Sequence, residues 1–240
     1  MPHHLRPSTP YAEDVLLPGD PGRALALAQV LLTEPLMSNH ARGLWGYTGE
    51  TPEGRRLSIQ STGMGGPSAA IVLRELAELG VRRAIRVGTC GALDPALGHG
   101  DLVVAREALA EDGTSRALGA GASVEADPGL TARLAAALPA GRSPATIVST
   151  DLFYDDDGAR QTGPPSSRAA EWRERGAVAV EMEAAALFTL SRRLGVASAC
   201  ALVVSDTFEG GERRRIEDEA LAAAAERMGA LAVSALGSQP

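Results

Sequence analysis

The sequence predicts an α/β layered fold, and three observations predict it. Short apolar runs that end in Gly or Pro alternate with Ala- and Leu-rich stretches of helical period. The 240 residues carry 45% hydrophobic side chains, enough for a sizeable core. Only 3% are aromatic, so that core has to be built from Ala, Val and Leu.

The elements follow in chain order. Val15 to Leu17 reads as a strand stopped by Pro18-Gly19, and Ala24 to Leu31 as a helix. Leu57 to Thr62 alternates as a half-buried strand does, with Leu57, Ile59 and Ser61 on one face. Ser68 is placed to cap a helix running through Leu79. Its apolar positions Ala69, Val72, Leu73 and Leu76 fall at i, i+3, i+4 and i+7, and Gly80 stops it. Ala84 to Val87 reads as a strand and Gly88-Thr89-Cys90-Gly91 as a tight loop. Further strands are expected at Leu102 to Ala105, Thr146 to Ser149, Ala177 to Val180 and Ala199 to Val204. Helices are expected at Leu130 to Ala137, Ala184 to Leu194 and roughly Ile216 to Leu236. The stretch Asp155 to Arg168, rich in Asp, Gly, Pro and Ser, reads as a surface insertion, so one domain is expected.

Composition excludes several classes. A formal net charge of −7 argues against broad phosphate contact with nucleic acid. Cys90 and Cys200 stand alone in apolar settings, which argues against a disulfide framework or a cysteine zinc cluster. His40 and His99 offer no metal spacing, and Asp155-Asp156-Asp157 reads as a solvated loop. No apolar run approaches a membrane span and residues 1–10 are no signal peptide, so the expectation is a soluble, reduced, cytoplasmic protein. All 23 basic residues are arginine, which stays charged wherever it is buried and grips phosphate or carboxylate with a planar fork.

Four segments carry candidate chemistry. Leu17-Pro18-Gly19-Asp20-Pro21-Gly22-Arg23 joins a strand end to a helix through a turn where backbone N–H groups can approach an anion. Arg86, near the end of an apolar strand, needs an acidic partner in the protein or on a ligand, and Thr89 adds a hydroxyl at the same place. Val180-Glu181-Met182-Glu183 puts two carboxylates at a strand-to-helix junction, where they serve as a helix cap or as an acceptor for a sugar diol. Val203-Val204-Ser205-Asp206 ends an apolar strand in a potential acid. Gly63-Met64-Gly65-Gly66-Pro67 lacks the third glycine of a dinucleotide fingerprint.

Taken in order, these segments resemble the nucleoside phosphorylase family of hexameric purine nucleoside phosphorylases, uridine phosphorylases and related nucleosidases. The resemblance also rests on Arg42-Gly43 with Gly46-Tyr47-Thr48-Gly49, on Thr62-Gly63-Met64-Gly65, and on Asp151-Leu152-Phe153-Tyr154. It runs from His3 to the C-terminal helix. It implies a single three-layer αβα domain, residues 1–240, with a central mixed, partly barrel-like sheet. It implies no cofactor, with inorganic phosphate as co-substrate, and a trimer of dimers sharing active sites.

The resemblance carries over roles residue by residue. Gly19, Arg23, Arg86 and Thr89 match the phosphate site, joined by Arg42 from the neighbouring subunit. Glu183 and Met182 match the ribose site, with Glu183 accepting from the 2′- and 3′-hydroxyls. A neighbour's histidine contacts the 5′-hydroxyl; His3 has the better spacing to Gly19, with His4 the alternative. Phe153 packs on the base, Glu181 belongs to the base and ribose pocket, Ser205 is counted with the nucleoside-binding residues, and Asp206 is the acid that protonates purine N7. Arg213, Arg214 and Arg215 are the candidates to assist that acid, with Arg213 taken as first choice. Uridine phosphorylases read uracil with a Gln and an Arg where this chain has Asp157 and Ala159; Arg160 and Gln161 are shifted and reversed, and the insertion is long enough to bring Arg160 or Arg168 to the base. Asp206 favours a purine, since pyrimidine chemistry does not need a leaving-group acid. A nucleosidase has no reason to keep three phosphate arginines, and a simple binder has no need of clamp and acid together.

Overall fold

The computed structural model describes residues 2–136, 138, 143–153, 167–209 and 212–237. Eleven strands form one sheet in the order β11-β10-β6-β8-β9-β5-β1-β4-β3-β2, with β7 paired to β6. The path starts with β1 (Asp14–Leu17) and α1 (Pro21–Leu31), then β2 (Thr33–Asn39), a 3-10 turn (Ala41–Gly43), β3 (Gly46–Glu50) and β4 (Arg56–Gln60). It continues through α2 (Gly66–Glu78), β5 (Arg83–Ala92), β6 (Leu102–Glu111), α3 (Gly113–Ala117), β7 (Ser123–Glu125), α4 (Pro128–Ala135) and β8 (Ala145–Thr150). It ends with α5 (Ser167–Glu174), β9 (Ala177–Glu181), α6 (Ala184–Leu194), β10 (Ala197–Glu209), β11 (Glu212–Arg215) and α7 (Asp218–Gly237).

Strand β5 organises the sheet. It runs parallel to β1 on one side and to β10 on the other, and its end pairs antiparallel with β9. Because β10 also pairs with β6, the strands β5, β10, β6, β8 and β9 close into a ring, the barrel-like part of a mixed sheet. Alternate residues of β1 and β5 face opposite layers. Leu16, Ile85 and Val87 pack against α1, α4 and α7, whereas Val15, Leu17 and Ala84 pack against α2 and α6. The three-layer αβα fold is therefore present as the sequence implied.

Some local expectations are corrected. Gly88 to Gly91 is not a tight loop; it continues β5, because β10 offers a parallel partner from Leu202 to Asp206. Ser68 does not cap α2. The helix starts at Gly66 after Gly65, and the Ser68 hydroxyl donates to the Thr62 carbonyl at 2.5 Å. The strands β2, β3, β7 and β11 and the helices α3 and α5 had no clear periodic signal. Helix α7 is long and apolar enough by composition to cross a membrane, which the sequence reading overlooked. In this fold Ala224, Ala225, Met228, Ala232 and Leu236 bury its apolar stripe against α1 and the sheet. Tyr154, Arg160, Gln161 and most of the Asp155 to Arg168 insertion lie outside the described residues.

Candidate active site

The ends of β1, β5, β9 and β10 gather the candidate residues. Arg86 is buried on β5 and finds its acidic partners within the protein. Its Nε donates to Glu181 Oε2 at 2.9 Å and its Nη2 lies 2.5 Å from Glu183 Oε2. Burial alone would lower the Arg86 pKa, but Glu183 and Glu181 outweigh it and hold the guanidinium firmly charged. Gly88 makes room for this: a Cβ there would come within 2.7 Å of the Arg86 guanidinium.

The two carboxylates play different parts. The Glu181 side chain is completely enclosed. It accepts from Arg86, from the Ser149 hydroxyl, and from the backbone N–H groups of Glu183 (2.9 Å) and Ala184 (3.0 Å) at the start of α6. It thereby fixes Arg86 and the α6 N-terminus to one another. Glu183 lies above it. Its Oε1 accepts from the Gly65 N–H at 2.5 Å, made available by a Gly65 φ of +87° that favours glycine. Burial, and then repulsion from Glu181, push the Glu183 pKa up against the pull of Arg86. Two acids share one arginine. Met182 is half-buried between them.

Arg23 sits on the first turn of α1, which Asp20 caps by accepting from Gly22 N (3.0 Å) and Arg23 N (3.2 Å). Burial lowers its pKa; Asp20 opposes this, and the positive charges of Arg86 and Arg215 lower it further. Arg23, Arg86 and Arg215 thus share one electrostatic field. Gly19 and half-buried Thr89 stand at the same strand ends.

A second cluster surrounds Asp206. A bulge at Ser205 interrupts the β5–β10 register: Val204 pairs with Cys90, and Asp206 with Gly91. Ser205 Oγ donates to Asp206 Oδ2 at 2.7 Å and to the Cys90 carbonyl at 3.2 Å. Asp206 Oδ1 accepts from Arg213 Nε at 2.9 Å, with Arg215 Nη1 at 3.7 Å. The Arg213 guanidinium lies 4.3 Å from the centre of the Phe153 ring, a cation–π distance. The three-arginine run is thereby sorted: on the antiparallel β11, Arg213 and Arg215 reach Asp206, whereas Arg214 accepts at its carbonyl from His99. Arg168 stacks over Trp172 at 5.2 Å.

Within the described residues, none of the cluster's hydrogen bonds or ion pairs involves His3 or Arg42. Both are exposed, His3 on the N-terminal segment and Arg42 on the 3-10 turn. Sequence reasoning missed Ser149, Gly65, Asn39 and Glu75. The signal for Glu75 was present: it falls on the buried face of α2 with Val72 and Leu76. A separate cavity of about 630 Å³ between α4, α6 and the start of β10 contains none of the site residues named above.

Known proteins resemble this chain in sequence and in fold. Residues 13–237 match the Phosphorylase superfamily. The purine nucleoside phosphorylase DeoD-type of Caldanaerobacter subterraneus subsp. tengcongensis is 39% identical over 215 residues, covering 86% of this chain and 88% of that protein. The enzyme of the same name from Clostridium beijerinckii is 37% identical over 228 residues, 91% of each. The crystal structure of uridine phosphorylase from Vibrio fischeri ES114 with 6-hydroxy-1-naphthoic acid superposes with a TM-score of 0.79 at 25% identity, over 95% of this chain and 93% of that one. With a match of that extent and relatives of that similarity, the chain belongs to the phosphorylase superfamily.

Proposed function

We propose that this protein cleaves purine nucleosides with inorganic phosphate, releasing the free base and pentose 1-phosphate in nucleoside salvage. The observation that carries this reading is the Asp206 cluster. A buried carboxyl is held by Ser205 and Arg213, and Arg213 in turn lies on Phe153, so an acid and a stacking surface share one place. The purine nucleoside phosphorylase relatives support the same substrate class.

In this reading the residues divide the reaction between them. Arg23, Arg86, Thr89 and the Gly19 turn hold phosphate, and Arg42 of a neighbouring subunit completes the clamp. Charge-assisted bonds offset the loss of water from the anion. Glu183 accepts from the ribose 2′- and 3′-hydroxyls with Met182 beside it, and Phe153 packs on the base. Phosphate oxygen forms its bond to C1′ as the C1′–N9 bond breaks, and the electron pair of that bond moves into the base. Asp206 serves as the general acid that passes a proton to N7, and Arg213 pairs with its carboxylate. Glu181 touches no substrate; it positions Arg86 and Glu183.

The chain works as a homo-oligomer in this reading, a single-domain cytoplasmic protein assembled as a trimer of dimers. The exposed apolar side chains Leu36, Met37, Trp45 and Met64 support an interface beside Arg42. A second reading, uridine phosphorolysis, is favoured by the uridine phosphorylase fold neighbour. One assay separates the readings. The protein is incubated with inosine and with uridine, with and without phosphate, and free base is followed. Phosphate-dependent release from inosine is expected. Preferred release from uridine moves the assignment to the pyrimidine enzyme, and release without phosphate to a hydrolase.

A further inference from the structure

We propose that Asn39 is a positioning residue that joins the exposed His3 and Arg42 into one preorganised element, donated as a unit to the neighbouring subunit's site. This rests on the shared-site reading above. What is new is the bond network behind the two exposed side chains.

Asn39 is fully buried at the end of β2 and is used at both ends of its amide. Its Oδ1 accepts from the Arg6 N–H at 2.9 Å, three residues after His3. Its Nδ2 donates to the Leu44 carbonyl at 2.5 Å and the Ala41 carbonyl at 3.4 Å, which enclose Arg42. One side chain thus ties the N-terminal segment to the 3-10 turn. Arg42 itself has φ +58° and ψ +19°, a left-handed conformation that an arginine keeps only where the surroundings impose it. Gln60 adds a second donor to the Leu44 carbonyl at 3.0 Å and accepts from the Tyr11 hydroxyl at 2.5 Å.

Glu75 fixes the far end of the same segment. Its carboxylate accepts from the backbone N–H groups of His3 (2.9 Å), His4 (3.0 Å) and Leu5 (2.7 Å), and it bonds His4 Nδ1 at 2.8 Å. Leu5 is buried among Val72, Leu73 and Leu76. The His4 ring is therefore committed within the chain, and His3 is the histidine presented to a neighbour. A terminus of this kind ordinarily frays; here its backbone is tied down at Leu5, at Arg6 and at Ser8, whose N–H donates to the Ser38 carbonyl at 2.9 Å.

Two variants of the full-length protein separate the arms. Asn39→Asp keeps an acceptor for Arg6 N–H and loses the donor to Leu44 and Ala41; Asn39→Ala loses both. The phosphate KM reads Arg42, and the kcat/KM ratio of inosine to 5′-deoxyinosine reads His3. Asn39→Asp is expected to raise the phosphate KM at least about threefold while keeping the 5′-hydroxyl preference, and Asn39→Ala to impair both. The split is what a merely structural role would not produce. Hydrogen–deuterium exchange gives a readout independent of activity: Asn39→Ala should speed exchange in residues 3–8 and 40–45, and Asn39→Asp in 40–45 alone. Unchanged exchange in both segments overturns the proposal, as does an Asn39→Ala protein with both kinetic readouts within about twofold of wild type. A wild-type protein that phosphorolyses no nucleoside would instead overturn the function above, leaving the exchange pattern to decide on Asn39.

Discussion

In the cluster at the ends of β5, β9 and β10 the functional side chains are buried and bonded to one another. On the edge formed by the N-terminal segment and the 3-10 turn they stand in solvent, and the backbone behind them is what is tied down. Arg86, Glu181 and Glu183 are each at most 5% exposed. His3 and Arg42 are exposed, yet Asn39 and Glu75 hold the segments that carry them. In the proposed function the first region is a half-site complete within the chain, and substitutions there should disturb folding and chemistry together. The second region, in the same proposal, serves a neighbouring subunit, and substitutions at its exposed tips should disturb chemistry alone.

The largest expected effect tests that contrast directly. Arg86→Ala leaves two carboxylates buried around a lost cation. Removing one partner of a buried ion pair costs about 3–5 kcal/mol. Thermal unfolding should show a fall in Tm of roughly 2–4 °C for each kcal/mol lost. Adding Glu183→Gln to that variant should restore part of the loss, because one uncompensated charge is removed. A wild-type Tm for Arg86→Ala would mean the cluster is not the ion-paired unit described here.

Asp206→Asn comes next. Asn can donate a hydrogen bond but cannot readily transfer a proton. Inosine phosphorolysis should slow by about 10²-fold or more, within the range of general acid catalysis. A 7-methylated purine nucleoside, whose base already carries positive charge, should be spared. Equal slowing of both substrates would make Asp206 structural.

Arg42→Ala should behave unlike Arg86→Ala. It should raise the phosphate KM by about 10- to 10²-fold, the loss of one charge-assisted contact, with Tm unchanged. A matching fall in Tm would erase the distinction between the two regions.

These two regions were also unequally legible in the sequence. The buried half could be read because each of its residues breaks a pattern: Arg86 in an apolar strand, paired acids before α6, an acid after Val203 and Val204. The alternating layers were legible for the same reason, since β1, β5 and β10 are bounded apolar runs. The edge was harder. β2 is mostly exposed on its first five residues and carries no alternation, so its partner β3 was missed with it. Asn39 gave no signal of its own, because its value comes from two contacts distant in sequence or in a turn. Nothing local to Glu181 says that Ser149, 32 residues away, bonds it. Gly88 to Gly91 looked like a loop because the pairing that keeps it extended comes from β10, far along the chain.

The smallest effect concerns Glu75. Burial would raise its carboxyl pKa, but the N–H groups of the N-terminal segment and the His4 ring bring it down to about 2 from its ordinary 4.5. A carboxyl whose folded pKa is depressed contributes stability above its unfolded pKa and loses it as pH falls through the folded one. The protection of residues 3–5 against exchange, relative to the intrinsic rate at each pH, should therefore fall as pH is lowered from about 4.5 towards 2. The charged and titratable neighbours are His4, in contact, and Tyr11, whose buried phenol is pushed up to about 12 and stays neutral throughout. Glu75→Gln should abolish the step; a step that persists would belong to another group.

Subunit complementation tests the shared site most directly. Asp206→Asn chains, with an intact donated edge, are co-expressed with His3→Ala/Arg42→Ala chains, whose buried half is intact. Each homodimer lacks a necessary part at both sites. A mixed dimer holds one site with both parts native and one with neither. Random pairing makes half the dimers mixed, so about a quarter of the wild-type activity on inosine should return, as exchange across a two-fold interface requires. Activity equal to the mean of the two parent variants would show that each chain carries a complete site of its own.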